Sequence, residues 1–409
     1  MADQSYRPAL AAADAFLRAL LRIAPGLARL DAEAIIAAAR RQTGLRDLGP
    51  PDHRPALDQL LAVLNAAPLT GLGRVAARAT IQKALVNRLC LAEYARQHVD
   101  LDDVPLPAPV FIVGFPRTGT TTLQNLLSLD PGARHLQFFE LQTPVPVDPR
   151  PAVDRRKRLR SGAISLKAAY FVAPEMAQIH EVSLTSAEEC WPLFFNTFHV
   201  LNYDMQGAFA QYGDWLLAQD LRPAYAEYRQ ALQVLAHGRP PERLVLKCPE
   251  HLWFIDALID VFPDAKIIWT HRDPFECVAS YCSLISLNHR LLYGQVDAPR
   301  VGAHVEDRFL LGVERAMASL DRAEPDRFFH VDFRALVREP LPVLAALKAW
   351  AGLPHGPASE ARAAAWLAAD RADKPGQHAY EAQRFGVDAE RVHKRYQRYI
   401  DRFSIPLRA

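Results

Sequence analysis

The feature that most constrains the fold is a glycine-bounded loop that follows a short apolar run. Residues 110–113 are apolar, the loop Gly114-Phe-Pro-Arg-Thr-Gly119 comes next, and residues 120–127 have helical composition. A strand, a tight loop and a helix in immediate succession open an α/β nucleotide-binding unit. The pattern also predicts an anion site where the loop meets the helix, because backbone N–H groups and the helix dipole converge there.

The loop has the spacing of the phosphate-binding pattern Gly-x4-Gly-Lys-Ser/Thr, but Thr120 stands in place of the lysine. Thr121 adds a second hydroxyl, while Arg117 in the loop and Lys247 at the end of a later apolar run supply positive charge. A nucleoside triphosphatase also needs a carboxylate for Mg²⁺. The best candidate, Asp273, directly follows an arginine. Metal-dependent phosphoryl transfer is therefore disfavoured.

Further strands are predicted at residues 243–247, 265–270 and 327–331, with a helix over about 252–261 between the first two. Strand, helix and strand over that distance indicate a parallel crossover. The first hundred residues are rich in Ala, Leu and Arg at helical spacing, including a long helix over about 72–99. We predict a helical N-terminal region, residues 1–104, packed on a main domain, residues 105–409.

A second anion-binding element is predicted after the strand at 265–270. Arg272 leaves the strand end, and Asp273-Pro274 suits the cap and first turn of a helix. Ser280 lies about two turns into that helix, where it can face the same cleft. Taken singly, Arg272 also suits a surface ion pair and Ser280 a solvated helix position. Together they suit a phosphate group at the carboxyl edge of the sheet.

At this point the sequence resembles the sulfotransferase superfamily. Phe115-Pro-Arg-Thr-Gly-Thr-Thr-Thr122 is similar to its 5′-phosphosulfate loop, Thr270-His-Arg-Asp-Pro274 with Ser280 to its 3′-phosphate site, and Leu246-Lys-Cys-Pro249 to its lysine-bearing strand. The resemblance covers roughly residues 105–287 and is closer to the bacterial and tyrosyl-protein branches. It implies a three-layer parallel α/β fold of the P-loop nucleoside-kinase type, to which the pattern of the first hundred residues adds a helical N-terminal extension.

The resemblance also implies chemistry. The co-substrate would be 3′-phosphoadenosine-5′-phosphosulfate (PAPS), used in line and without a metal, with Lys247 and Arg117 stabilising charge on the oxygen that leaves. The 5′-phosphosulfate would be bound by Pro116, Arg117, Thr118, Gly119, Thr120 and Thr121, and the 3′-phosphate by Arg272 and Ser280. Residues 374–380 are candidates for covering the adenine.

The general base is the least settled residue. Cytosolic members carry a histidine two residues after the strand lysine, where this chain has Pro249. The tyrosyl-protein branch uses a glutamate about two dozen residues beyond the loop, and Glu140 matches it, although a helix-end or salt-bridge role is equally open. His180 and His251 are the competing bases. Ser186-Ala-Glu-Glu189 is interpreted as a capping box that opens a helix running through Trp191.

Composition limits the remaining options. The formal net charge is only +2, which predicts no nucleic-acid partner, and the five cysteines show no metal-ligand spacing. The start resembles no signal peptide and no apolar run is long enough to span a membrane, so a cytoplasmic location is expected. A small-molecule, glycan, lipid or peptide acceptor and a homodimer all stay open. The alternatives are an ATP-dependent small-molecule kinase and a non-catalytic nucleotide-binding scaffold.

Overall fold

The computed structural model describes residues 8–172, 183–373 and 382–407. Its strands are β1 (Val110–Gly114), β2 (Ala133–Arg134), β3 (Arg243–Lys247), β4 (Lys266–His271) and β5 (Phe328–Asp332). All pairings are parallel, and the order across the sheet is β2-β3-β1-β4-β5. The four predicted strands are thus confirmed to within a residue at each end. The crossover prediction needs one refinement, since β1 lies between β3 and β4.

Helices surround the sheet on both sides. In chain order, over the ranges given above, they are α1 (Pro8–Ile23), α2 (Ala32–Thr43), α3 (His53–Ala66), α4 (Gly71–Gln97), α5 (Thr120–Ser128), α6 (Phe138–Gln142), α7 (Pro151–Val172), α8 (Trp191–Phe194), α9 (Asn202–Gly207), α10 (Ala210–Leu217), α11 (Arg222–Ala236), α12 (Ile255–Val261), α13 (Pro274–Tyr293), α14 (Ala298–Leu320), α15 (Phe333–Arg338), α16 (Pro340–Ala351), α17 (Pro357–Asp373), α18 (Ala389–Arg395) and α19 (Gln397–Phe403). Among these helices, none combines the length and the apolar character that crossing a membrane requires.

The side chains of β1 alternate between two hydrophobic cores. Phe111 and Val113 belong to a large core that includes residues of α11, α12, α13 and α14. Val110 and Ile112 belong to a second core with residues of α5, α15, α16 and α17. Because successive strand residues point to opposite faces, helices cover both faces of the sheet. The expected three-layer α/β/α arrangement is present.

The N-terminal helices share the large core. Ile81, Leu85 and Leu89 of α4, which corresponds to the predicted helix at 72–99, are fully buried in it. Arg88 on the same helix is 3% exposed and forms an ion pair with Glu227 of α11. The helical region is therefore packed against the main domain through both apolar and charged contacts. Its boundary at residue 104 stays a prediction.

Candidate active site

The loop between β1 and α5 has a backbone that favours glycine at both of its ends. Gly114 and Gly119 have φ of 136° and 84°, and Arg117 between them has φ of 73°. A Cβ atom on Gly114 would lie 2.3 Å from the Thr270 hydroxyl oxygen, so no larger residue fits there without displacing β4. The predicted tight turn is present, and α5 begins immediately after it at Thr120.

Threonine hydroxyls hold the loop onto the sheet. Thr118 Oγ1 donates a hydrogen bond to the Phe115 carbonyl oxygen at 2.7 Å and lies 2.5 Å from Thr270 Oγ1. Thr270 Oγ1 in turn donates to the Val113 carbonyl oxygen at 3.3 Å. These contacts are all buried, so the Thr118 side chain determines the shape of the loop. Thr120 is buried at the start of α5, whereas Arg117 and Thr121 are exposed.

Arg272 joins the loop to the end of β4. Its Nη1 donates to the carbonyl oxygen of Arg117 at 2.7 Å, and its Nε donates to Glu276 at 3.0 Å. The guanidinium also lies over the Phe333 ring, 4.3 Å from the ring centre. Three contacts in different directions fix this side chain against the loop. The two predicted anion-binding elements are therefore in direct contact.

The helix after Arg272 begins as predicted. Asp273 caps α13, accepting a hydrogen bond from Phe275 N at 2.9 Å, and Pro274 occupies the first turn. The same Asp273 oxygen lies 2.9 Å from His393 Nε2. Ser280 follows on α13 and is 3% exposed. The carboxylate that a kinase would need for Mg²⁺ is thus engaged in a helix cap and a histidine contact.

Lys247 brings a buried ammonium group to the same edge of the sheet. Its side chain is 1% exposed, and Nζ donates to Glu189 Oε1 at 2.6 Å. Nζ also lies 3.5 Å from Thr121 Oγ1 in the first turn of α5. Because β3 is the neighbour of β1, the lysine at its carboxyl end lies beside the loop. This arrangement places a cation next to the helix N-terminus where an anion is expected.

The position of Glu189 corrects the interpretation of residues 186–189 as a helix-opening capping box. The helix α8 begins only at Trp191, and the residues before it run along the sheet edge, where Cys190 N donates to the Lys247 carbonyl oxygen at 3.0 Å. That backbone bond places Glu189 beside the lysine side chain. Pro192 was the signal for the later helix start, since proline favours the first turn.

Glu140, the predicted base, has both carboxylate oxygens engaged. Its Oε1 accepts from Arg134 Nη2 at 2.8 Å, and its Oε2 accepts from the backbone N–H of Gln137 at 3.1 Å. The second contact is one half of a capping box that begins α6. These contacts give Glu140 a structural role in a helix cap and an ion pair, which is the alternative that the sequence left open. Its role as a base stays untested.

Of the two histidine candidates for the base, only His251 lies among the described residues. His180 lies outside the described residues, as do residues 374–380, the candidates for covering the adenine. His251 is 0% exposed, and its Nδ1 lies 2.8 Å from the Tyr225 hydroxyl. Burial lowers the pKa of His251 to about 3, so the ring is neutral at physiological pH. Its surroundings are those of a core histidine.

Glu250 is a titratable group near the site that the sequence did not single out. It lies in the 3₁₀ turn Pro249–Phe254 that follows β3, and its Oε1 accepts from the backbone N–H of Leu201. Burial raises the pKa of Glu250 to about 8. A carboxyl group with that pKa is mostly protonated at neutral pH. Glu250 therefore adds little negative charge near Glu189 at neutral pH.

Comparison with known proteins identifies the group to which this arrangement belongs. The model of the Sulfotransferase family matches residues 109–357. Over 248 residues the chain is 26% identical to omega-hydroxy-beta-dihydromenaquinone-9 sulfotransferases of Mycobacterium bovis and Mycobacterium tuberculosis. This match spans 57% of the chain and 59% of each relative, so the chain matches less than two thirds of their length.

Two solved structures match nearly the whole chain. Sulfotransferase STF1 of Mycobacterium tuberculosis superimposes with a TM-score of 0.78 and 29% identity, over 90% of this chain and 98% of that one. Sulfotransferase STF9 of Mycobacterium avium gives a TM-score of 0.82 and 27% identity, over 93% and 98%. The predicted fold class is thus confirmed. Since the family match covers more than half of the sequence, the chain belongs to the sulfotransferase family.

Proposed function

We propose that this chain is an enzyme that transfers the sulfuryl group of PAPS to a hydroxyl (or amine) acceptor by in-line displacement. The observation that carries the proposal is the hydrogen bond from Arg272 to the Arg117 carbonyl oxygen. It joins the loop suited to a phosphosulfate to the strand end suited to a second phosphate. A donor with anionic groups at both ends of a nucleoside matches that pair of elements.

The groups at the site fit such a donor. The loop ends at the N-terminus of α5, where backbone N–H groups and the helix dipole favour an anion. Thr120 and Thr121 add hydroxyls, and Arg117 and Lys247 add positive charge. These are hydrogen-bond donors that suit the oxygens of a phosphosulfate. Ser280 and Arg272 would hold the 3′-phosphate, while Pro116, Thr118 and Gly119 shape the loop.

Lys247 and Glu189 supply the chemistry in this proposal. Lys247 would stabilise the charge that develops on the bridging oxygen as the S–O bond breaks, with Arg117 sharing that role. Its ammonium is paired with Glu189 at 2.6 Å. When the donor draws that ammonium towards the bridging oxygen, the Glu189 carboxylate loses its partner's charge. It then accepts the proton of the acceptor hydroxyl.

The geometry favours Glu189 over Glu140 as the base. Glu189 is partly accessible, with 26% of its side chain exposed, and it forms an ion pair with the lysine of the same site. Glu140 is held by a helix cap and by Arg134. Breaking those contacts would lower the stability of the folded protein without helping catalysis. We therefore assign the base to Glu189 in this proposal.

We propose an acceptor hydroxyl carried on an apolar molecule. Trp191, Phe195 and Tyr203 follow Glu189 in the chain and are all only partly buried. Their rings form a continuous row, with centres 4.8 Å apart for Trp191 and Phe195 and 4.6 Å apart for Phe195 and Tyr203. Such a row offers an apolar wall close to the base. The name of the mycobacterial relatives, with its hydroxylated dihydromenaquinone, points in the same direction.

Calorimetric titration tests the co-substrate. We expect 3′-phosphoadenosine-5′-phosphate to bind with or without Mg²⁺ and more tightly than ATP. Arg272→Ala should weaken that binding by about 10- to 100-fold, because a hydrogen bond to a charged group is worth roughly 1.5–3 kcal/mol. Arg222→Ala, which removes an exposed arginine paired with Asp220, is the matched control and should leave binding unchanged.

Turnover tests the enzyme proposal separately. With PAPS and a panel of apolar alcohols, Lys247→Ala should lower the rate of sulfuryl transfer far more than it lowers donor affinity. A preference for ATP with Mg²⁺ would instead support the kinase alternative. Donor binding without transfer to any hydroxyl or amine would support the nucleotide-binding scaffold.

A further inference from the structure

Three metal-ligating side chains meet at the edge of the sheet opposite the candidate active site. His98 and Asp100 follow α4 on the way to β1, and His237 follows α11 on the way to β3. One ligand atom from each lies within 4.8 Å of the other two. The chain enters both strands from this edge, whereas the loop, Lys247 and Arg272 lie where strands end. The cluster is therefore separate from the proposed sulfotransfer site.

The spacing of this cluster suits a tetrahedral metal ion. Zinc binds histidine nitrogen and carboxylate oxygen at roughly 2.0–2.2 Å, which makes each edge of the tetrahedron about 3.3–3.5 Å. His237 Nε2 lies 3.3 Å from Asp100 Oδ2, which equals such an edge. The Asp100 side chain is 66% exposed. Its rotation can therefore adjust the distance from the Asp100 carboxylate to the His98 ring, and all three ligand atoms already lie within 4.8 Å of one another.

A hydrogen bond behind the cluster orients the His237 ring. The Tyr94 hydroxyl lies 2.8 Å from His237 Nδ1 on the side away from Asp100. Engaging Nδ1 in this way turns Nε2 towards the other ligands, as outer contacts of metal-bound histidines commonly do. The centre of the His98 ring lies 4.2 Å from that of the Tyr94 ring, with the planes tilted by 33°, and the His98 ring stands at 74° to the His237 ring. Both imidazoles are thus held in place before any ion binds.

The backbone around the cluster is also anchored. Gln233 of α11 donates from Nε2 to the carbonyl oxygen of Asp102 at 3.0 Å, just after the Asp100 ligand. His98 N donates to the Tyr94 carbonyl oxygen at 3.1 Å, which closes the last turn of α4. The ligands therefore stand on two helix ends whose separation is set by direct contacts. A preformed geometry lowers the ordering cost of binding an ion.

We propose that His98, Asp100 and His237 bind a divalent zinc-type ion, with water in the remaining position, and that this ion clamps the end of α4 to the end of α11. The site is structural, because it lies at the entry to β1 and β3 and away from the reacting groups. A cation here would also leave the expectation of a metal-free transfer reaction intact, since that expectation concerns the opposite edge of the sheet.

Zinc titration of the full-length, chelator-treated protein tests the site. We expect one Zn²⁺ per chain and, with Co²⁺, the visible absorption of a tetrahedral cobalt centre. With free Zn²⁺ at 100 times its Kd, the folding equilibrium constant should rise about 100-fold and the Tm by about 3 °C. His98→Gln and Asp100→Asn should each remove these effects. His355→Gln, which changes another histidine–carboxylate pair, His355 with Glu360, is the control and should keep them.

Each outcome decides the proposal. Binding that is lost in both ligand variants and kept in the control supports it. Absence of stoichiometric binding, or binding that survives both ligand variants, overturns it and leaves a Tyr94–His237–Asp100 hydrogen-bonded chain. Sulfuryl transfer should change little in either ligand variant. The result of the zinc test is therefore independent of whether the proposed function is correct.

Discussion

Exchanging Glu189 for glutamine separates the two carboxylates that compete for the role of base. Glutamine keeps the length of the side chain and still accepts a hydrogen bond from Lys247, but it takes up no proton. General base catalysis contributes about 10²- to 10⁴-fold, or roughly 3–5 kcal/mol of activation free energy. Lys247 is 1% exposed and Glu189 26% exposed, so a buried ammonium also loses a charged partner. We expect that loss to lower the free energy of unfolding by about 1–3 kcal/mol.

The assay is sulfuryl transfer at saturating donor, read beside calorimetric binding of 3′-phosphoadenosine-5′-phosphate. Glu189→Gln should lower kcat by about 100- to 10,000-fold while donor affinity changes by less than about threefold. Glu140→Gln is the matched control. It keeps the helix cap but weakens the ion pair with Arg134, whose side chain is 22% exposed, so it should lower stability by about 1 kcal/mol and leave kcat nearly unchanged. The opposite result, a loss of turnover in Glu140→Gln alone, would refute the assignment of the base to Glu189.

Three further changes probe the framework around the site. Gly114→Ala should weaken donor binding at least tenfold and lower the Tm, because its Cβ would meet the Thr270 hydroxyl at 2.3 Å. Donor affinity that is unchanged in calorimetry would contradict this close approach of the loop to β4. Thr118→Val removes a buried hydroxyl with two partners and should cost about 1–2 kcal/mol in urea unfolding, whereas a neutral effect would show that the loop is held elsewhere. Glu250, with its pKa raised from 4.5 to about 8, keeps a proton that the unfolded chain loses, so wild-type stability should fall as pH rises from about 4.5 to 8. Glu250→Gln should flatten that slope and stabilise the protein at pH 8.5; an unchanged slope between pH 5 and 8.5 would exclude Glu250 as its source.

Much of the fold is predictable from local patterns. The central strands of a parallel sheet are buried on both faces, so β1, β3 and β4 appear as continuous apolar runs, bounded by proline and glycine in β1 and by polar residues in β3 and β4. The two-residue strand β2 carries no such signal, because Ala133–Arg134 is an ordinary sequence that pairs only through the neighbouring β3. Local composition therefore predicts four of the five strands and misses the short edge strand β2.

The candidate site likewise has parts that the sequence predicts and parts that it does not. The loop and the Arg272–Ser280 element each lie within one short segment, and their residue types indicate an anion site without knowledge of the fold. The Lys247–Glu189 pair joins residues 58 positions apart, and nothing in the sequence around either residue indicates that the two are neighbours. The glutamate also sits in a pattern that resembles a capping box, which hid its position at the sheet edge. Only Pro192, nearby, argued against that interpretation.

The position of β1 between β3 and β4 has a consequence for how the protein acquires its site. Val110 pairs with Val245 on one side and with Lys266 on the other, so the central strand must wait for partners made much later in synthesis. Contacts between such distant segments close slowly. A nascent or partly folded chain therefore carries the complete loop but neither of the cations that flank it. Affinity for an anionic nucleotide would then measure whether the whole sheet has formed, and such a ligand would protect only finished molecules from unfolding.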